Sequence, residues 1–167
     1  MNKLHIRPYS PEYERQVQLL ILKIQQTEFN IDIDIERQPD LKNISSYYQH
    51  GLGNFWVASI QDTVIGTISL LDIGDGQTAL RKMFVESAFR GKEHHVGQQL
   101  LDTVIQHCKT VGVNVIYLGT TEKFIAAQRF YKKNSFIQIQ QEELPKTFPV
   151  MAVDKKFYKR SLLHSYE

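Results

Sequence analysis

The segment Arg90–Asp102, RGKEHHVGQQLLD, sets two glycines around a charged, histidine-bearing stretch that runs directly into an amphipathic pattern. From Val96 onward the apolar residues Val96, Leu100, Leu101, Val104, Ile105 and Cys108 recur with the period of one helix face, and Gly112 ends the pattern. The start of such a helix carries free backbone N–H groups and a partial positive charge, so a glycine-ended loop there is suited to an anion. The triphosphate-binding version needs a G-x-x-x-x-G-K-[ST] spacing. Here five residues separate Gly91 from Gly97, and Gln98-Gln99 occupy the lysine and hydroxyl positions, so that version is excluded. The adjacent His94 and His95 point about 100° apart on a helix and do not form the i, i+4 pair of a metal site. An anion cradle and an ordinary solvated loop both stay open for the segment taken by itself.

The helix is flanked by strands. Upstream, Thr78–Glu86 reads as a strand, and downstream VNVIYLGT (113–120) is the nearly continuous apolar run of a strand buried on both faces. Strand, long helix and buried strand in this order predict a parallel crossover. Further out, residues 3–7 alternate as a strand, and Ser10-Pro11 opens a helix with Val17, Leu20, Ile21 and Ile24 on its apolar face. QPDLKNISSYYQHG (38–51) reads as a second helix, and residues 54–76 as a hairpin about Gln61-Asp62. A helix is expected over 124–133, with closing strands near 136–140 and 150–158. The expected class is α+β: a mixed, mostly antiparallel sheet with one central parallel strand pair and helices on both faces.

With 167 residues, 42% of them hydrophobic, the chain fits one domain over residues 1–167. Lys plus Arg total 20 against 18 Asp plus Glu, too even a balance for the electrostatic footprint of a nucleic-acid binder. No apolar run reaches the roughly 18 residues of a membrane span, and none at the N-terminus has signal-peptide length. The single cysteine, Cys108, precludes an internal disulfide and fits a reducing compartment. The expected setting is cytoplasmic, with no nucleic-acid or membrane partner.

Strand, glycine loop, amphipathic helix, buried strand and a helix bearing AAQRFYKKNSF (126–136) come in the order of the GNAT superfamily of acetyltransferases, which the chain resembles most strongly from Leu80 to Phe136. The resemblance implies the acyl-CoA N-acyltransferase fold, with its parallel pair splayed. It also implies acetyl-coenzyme A as cosubstrate, no metal, and a small-molecule or peptide amine as acceptor; it is compatible with a homodimer. The family's Q/R-x-x-G-x-G/A loop, counted back from Leu100-Leu101, falls on Lys92, Glu93, His94, His95, Val96 and Gly97, followed by Gln98. Lys92 replaces Gln or Arg, and His95 replaces the first glycine. The resemblance places the pantetheine arm and thioester along Met83, Phe84 and Val85, whose free strand edge can pair with an amide-bearing ligand.

Tyr131 matches the tyrosine that protonates the departing thiolate in many members of the superfamily. Asn134-Ser135-Phe136 stands for the usual Asn-Gly-Phe, which makes Asn134 the expected left-handed residue. The glutamate that some members carry on the fifth strand falls on Gly119, and the frequent asparagine of the cofactor site on Phe124. Of the strand-end carboxylates, Glu86 ranks first as a substitute base, ahead of Asp72 and Glu122. The resemblance makes the first two helices and their connecting loop one wall of the acceptor site, here residues 26–51; Glu28, Asp32, Asp34, Glu36 and Asp40 make it acidic, which favours a cationic amine or is a solvated loop. An N-acetyltransferase is the first functional reading. A non-catalytic acyl-CoA-binding module is the alternative.

Overall fold

The computed structural model describes residues 3–91, 94–122 and 124–162. A single seven-stranded sheet runs in the order β1-β2-β3-β4-β5-β7-β6. Its strands are β1 (Leu4–Pro8), β2 (Asn54–Ile60), β3 (Thr63–Gly74), β4 (Gln77–Val85), β5 (Val115–Thr120), β6 (Ile137–Ile139) and β7 (Lys156–Ser161). Every pairing is antiparallel except β4 with β5. The hairpin turn predicted at Gln61-Asp62 is present, and both residues take positive φ, as a two-residue turn matched to strand twist requires.

Helices cover both faces. On one, α1 (Glu14–Lys23) continues through a π turn at Ile24–Glu28, and α2 (Pro39–Lys42) and α3 (Ile44–Tyr48) follow. Val17, Ile21, Leu41, Ile44 and Tyr48 pack there against Phe55 and Val57 of β2. On the other face lie α4 (Val96–Val111) and α5 (Ile125–Lys133). All six apolar residues predicted for α4 are buried, against Trp56, Ile68, Leu80 and Ile116. Full burial of one such leucine stabilises by about 1.5–3 kcal/mol, so this face alone anchors the helix to the sheet.

Two expected elements differ. The helix expected over 38–51 is split at Asn43, whose φ of −143° and ψ of 49° are not helical. The last strand begins at Lys156 and not at Val150, because residues 150–155 form a loop with Met151 and Val153 exposed. The left-handed residue after α5 is Ser135, with φ 70°, and not Asn134, with φ −99°. Position 135 is where the family pattern has glycine, which is the residue that adopts this conformation without steric cost.

Candidate active site

The centre of the molecule is a split in the sheet. β4 and β5 pair over three rungs, Gln77↔Val115, Thr78↔Ile116 and Ala79↔Tyr117, and there the parallel ladder stops. Beyond Ala79, β4 is deflected by a bulge: Ser69↔Arg81 and Thr67↔Phe84 are consecutive register points on β3 with an extra β4 residue between them. Lys82 sits in that bulge with φ 53°. Hydroxyls of β3 satisfy the carbonyls at this point, Ser69 Oγ donating to Arg81 O at 2.7 Å and Thr67 Oγ1 to Lys82 O at 2.8 Å. A bulge re-aims side chains. Strict alternation would put neighbouring residues on opposite faces, yet Arg81 and Lys82 both reach the α2–α3 side: Arg81 lies over the rings of Tyr47 and Tyr48, and Lys82 meets Gln38 and Asp40.

α4 points its first turn at this split. Its N-cap is His95, with φ 53° and ψ 28°, and among the described residues no side chain caps the helix. The first-turn amides are therefore left for a ligand or water. His95 is exposed. Left-handed geometry explains why glycine is the favoured residue there: an L-residue costs roughly 1–2 kcal/mol in it, offset in part by the entropy that glycine loses. His95→Gly is expected to raise stability by up to about 1 kcal/mol, read as a higher Tm; an unchanged or lower Tm would show that the histidine ring makes compensating contacts.

Gly97 leaves the approach to these amides open. A Cβ at this position would meet only Met83 Cε, at 3.5 Å, an ordinary contact. On the same face as α4 and α5, Tyr131 is 8% exposed and packs edge-on to Phe130 and Phe136. Its hydroxyl reaches Met83 Sδ at 3.8 Å. Burial pushes the phenol well above the ordinary tyrosine value, so it stays protonated through the neutral range. A buried O–H whose partner is a thioether is a donor with capacity to spare.

A sequence profile described as the acetyltransferase (GNAT) family matches residues 19–136. The chain belongs to this family. N-acetylaspartate synthetase of Danio rerio is 32% identical over 113 residues, which are 66% of this chain and 39% of that protein. Probable N-acetyltransferase 14 of Xenopus tropicalis is 34% identical over 115 residues, 68% of this chain and 55% of that protein. The chain thus spans about half the length, or less, of these relatives. Its fold matches the crystal structure of a GNAT-family acetyltransferase from Staphylococcus aureus Mu50 with TM-score 0.91 and 41% identity, covering 96% of this chain and 100% of that one. The acetyltransferase from Streptococcus agalactiae 2603 superposes with TM-score 0.90 at 30% identity, covering 95% and 98%.

The GNAT loop positions Lys92 and Glu93 lie outside the described residues. Of the others, Met83 and Val85 pack toward α4 and α5, while Phe84 packs with the α1–α3 core. His94 is exposed and meets the ring of Phe89 at 5.3 Å. Gln98 donates to Asp102 Oδ1 at 2.9 Å and Asn134 Oδ1 at 2.8 Å, so its side chain ties α4 to the end of α5. Phe124 stacks on Phe29 with centroids 3.8 Å apart, joining the loop after β5 to the segment after α1.

Glu86 stands at the far end of β4. Lys23 Nζ donates to its Oε1 at 2.8 Å, and that bond holds its carboxyl below the usual range, while Oε2 is buried with no hydrogen-bond partner among the described residues. Asp72 accepts from the amides of Leu52 and Gly74, at 2.9 and 2.8 Å, and serves the turn. The acidic segment is mostly engaged: Glu28 pairs with Arg90 at 2.7 Å, Glu36 with Lys42 at 2.9 Å, and Asp34 accepts from the amide of Arg37. Asp40 is buried, accepting from Tyr48 OH at 2.6 Å with Lys82 Nζ at 3.6 Å. Burial lowers the Lys82 ammonium to about 8 against the opposing pull of Asp40.

One carboxylate was not singled out from the sequence. Asp154, in the loop before β7, lies directly over Gly119: a Cβ at 119 would stand 2.7 Å from both Cγ and Oδ2 of Asp154. The carboxylate accepts from Met151 N–H at 2.9 Å. Burial raises its pKa above the ordinary aspartate value, while that amide and Arg81 pull it back. The sequence-level signal was a glycine in a buried strand, which marks the close approach of another group. Among the described residues, no group of three or more His, Cys, Asp and Glu side chains stands where it could hold a metal ion, and no helix is long and apolar enough to cross a membrane.

Proposed function

We propose that the protein transfers the acetyl group of acetyl-coenzyme A to a primary amine of a small molecule or peptide, by direct attack in a ternary complex. The observation that carries this reading is the junction of three features at one place. They are a parallel pair that stops after Ala79↔Tyr117, an uncapped α4 N-terminus, and the buried Tyr131 hydroxyl beside Met83. The coenzyme supplies the activated acetyl thioester. In this reading the amides of Val96, Gly97 and Gln98 receive the pyrophosphate, and the β4 edge over Met83, Phe84 and Val85, where Val85 O already accepts from Arg90 Nε at 2.7 Å, pairs through its other groups with the amides of the arm. An N–H of that edge donates to the thioester oxygen as charge develops on it.

Asp154 is our choice of proton acceptor. The amine nitrogen forms a bond to the acyl carbon as its proton passes to the Asp154 carboxylate; the carbon–sulfur bond breaks, and the sulfur takes the Tyr131 proton. A carboxylate raised by burial is a better base than Glu86, which Lys23 already neutralises. Cys108, buried and pushed up to about 12 by burial, is unsuited to act as a nucleophile.

The cradle is tested by Gly97→Val, whose Cβ would meet Met83 Cε at 3.5 Å in an ordinary contact. Coenzyme A affinity measured by calorimetry is expected to fall at least tenfold in a variant that melts cooperatively; equal affinity would remove the pyrophosphate from this helix. Thiol release from acetyl-coenzyme A across an amine panel, run beside that titration, tests transfer itself. Coenzyme A binding with no release on any amine would make the protein a non-catalytic acyl-CoA-binding module.

A further inference from the structure

The charges on the two sides of the split point to a particular kind of acceptor. Arg81 lies two residues beyond the last parallel rung, on the same face as Gly119 and Asp154. Its guanidinium is half-buried, with its carbon 5.8 Å from the centroid of the Tyr47 ring and 6.0 Å from that of Tyr48. It donates to Tyr47 OH at 3.2 Å and to Met151 Sδ at 3.6 Å. A phenol and a thioether are weak acceptors for a group with five N–H donors in a fixed fork. Among the described residues, no carboxylate oxygen lies within 4.0 Å of it.

Asp40 attracts Arg81 only at longer range: its Oδ2 accepts from Tyr48 OH and stands 3.6 Å from Lys82 Nζ, and it forms no ion pair with the guanidinium. Asp154 interacts with Arg81 electrostatically but is held over Gly119 by the Met151 amide. The cleft therefore presents a forked cation on the β4 side and a carboxylate on the β5 side, without a bond between them. Burying a guanidinium with most of its donors unspent is costly unless an anion arrives.

We infer that Arg81 clamps a carboxylate of the acceptor, so that the preferred substrates are amines that themselves carry a carboxylate, such as free amino acids, with the amine directed to Asp154. This rests on the acetyl-transfer reading and narrows its acceptor. It also replaces the expectation that the acidic segment before α3 attracts a simple cation, since Glu28, Glu36 and Asp40 already face Arg90, Lys42 and Lys82.

The test uses matched acceptors: several amino acids, their carboxamides and their decarboxylated amines, each assayed by thiol release from acetyl-coenzyme A. For the wild type, kcat/KM is expected to favour the free acid over its decarboxylated amine by about 10- to 100-fold, the worth of a charge-assisted bond to a half-buried cation. In Arg81→Gln that ratio is expected to fall to within about threefold of unity, with Arg81→Lys intermediate because it keeps the charge and loses the fork. A wild type that prefers the decarboxylated amines, or a ratio that survives in Arg81→Gln, overturns the clamp and leaves acetyl transfer standing. If Arg81→Gln does not fold, a ratio unaltered in Arg81→Lys overturns it. If no amine is acetylated, the transfer reading fails, and calorimetric titration of the same amino acids onto the coenzyme A complex decides the clamp. Binding weakened by the Arg81 variants supports it; no binding to the wild type sinks it.

Discussion

Asp154→Asn is expected to lower kcat/KM by about 10²- to 10⁴-fold, the usual contribution of a positioned base. Asparagine keeps the volume over Gly119 and an oxygen for the Met151 amide, so the loss reports proton transfer and not a displaced loop. Stability gives an independent check on that claim. Because burial raises the Asp154 pKa above its unfolded value, the folded state binds the proton more tightly. The stabilisation linked to that proton is present below the unfolded pKa and is lost as pH rises through the folded one. At neutral pH the charged carboxylate is therefore no asset to the fold, and the asparagine variant should melt no lower than wild type. In the pH–rate profile the wild type loses activity as pH falls through the raised Asp154 value, and the variant should lack that limb. A complementary exchange is available: Gly119→Glu combined with Asp154→Gly puts a carboxylate back on the strand where some GNAT members carry it, and partial recovery of turnover would tie function to the carboxylate's place and not to its residue number. Equal kcat/KM in wild type and Asp154→Asn would return the search to Glu86 or a water chain.

The outline of the sheet was legible because long-range order leaves local traces. A continuous apolar run at 113–120 after an amphipathic helix specifies a parallel crossover, and the 3.6-residue period of Val96, Leu100, Leu101, Val104, Ile105 and Cys108 specifies which side of α4 is buried, as found. Tyr131 was singled out through its motif neighbours. The second half of the proposed site was not legible for a physical reason: its parts meet only through departures from regular geometry. The bulge at Lys82 puts adjacent charged residues on one face, and only the break in alternation at Arg81-Lys82 within ALRKMFV hints at it. Asp154 reaches Gly119 from a separate strand connection, a pairing that no local pattern encodes. Phe124, which stands where the family often has asparagine, contributes a ring to Phe29 instead of an amide. Ser135 in place of Asn134 is the same lesson at one residue: the left-handed position followed the glycine slot of the pattern and not the residue type with the higher left-handed tendency.

Tyr131→Phe is expected to reduce turnover by at least about tenfold and by up to about 10⁴-fold, the range for a general acid, with the low end applying if water reaches the sulfur. The substitution removes one oxygen whose partner is Met83 Sδ at 3.8 Å, so ring packing with Phe130, Phe136 and Tyr158 is retained. A hydroxyl buried against a thioether contributes little to the fold, and its removal should leave Tm within about a degree or two or raise it. Since burial raises the phenol's pKa, the wild-type acid stays protonated across neutral and mildly alkaline pH, and its loss of function lies above the ordinary tyrosine value. The rate ratio of wild type to variant should therefore be flat from pH 7 to pH 9, which separates a missing acid from a shifted base. Leaving-group chemistry supplies the sharper criterion. An acetyl thioester of a more acidic thiol needs less help to depart, so the penalty of Tyr131→Phe should shrink as the thiol's pKa falls. A penalty independent of the leaving group would make Tyr131 a packing residue of the cleft wall, and equal turnover of the two proteins on acetyl-coenzyme A would leave thiolate protonation to solvent.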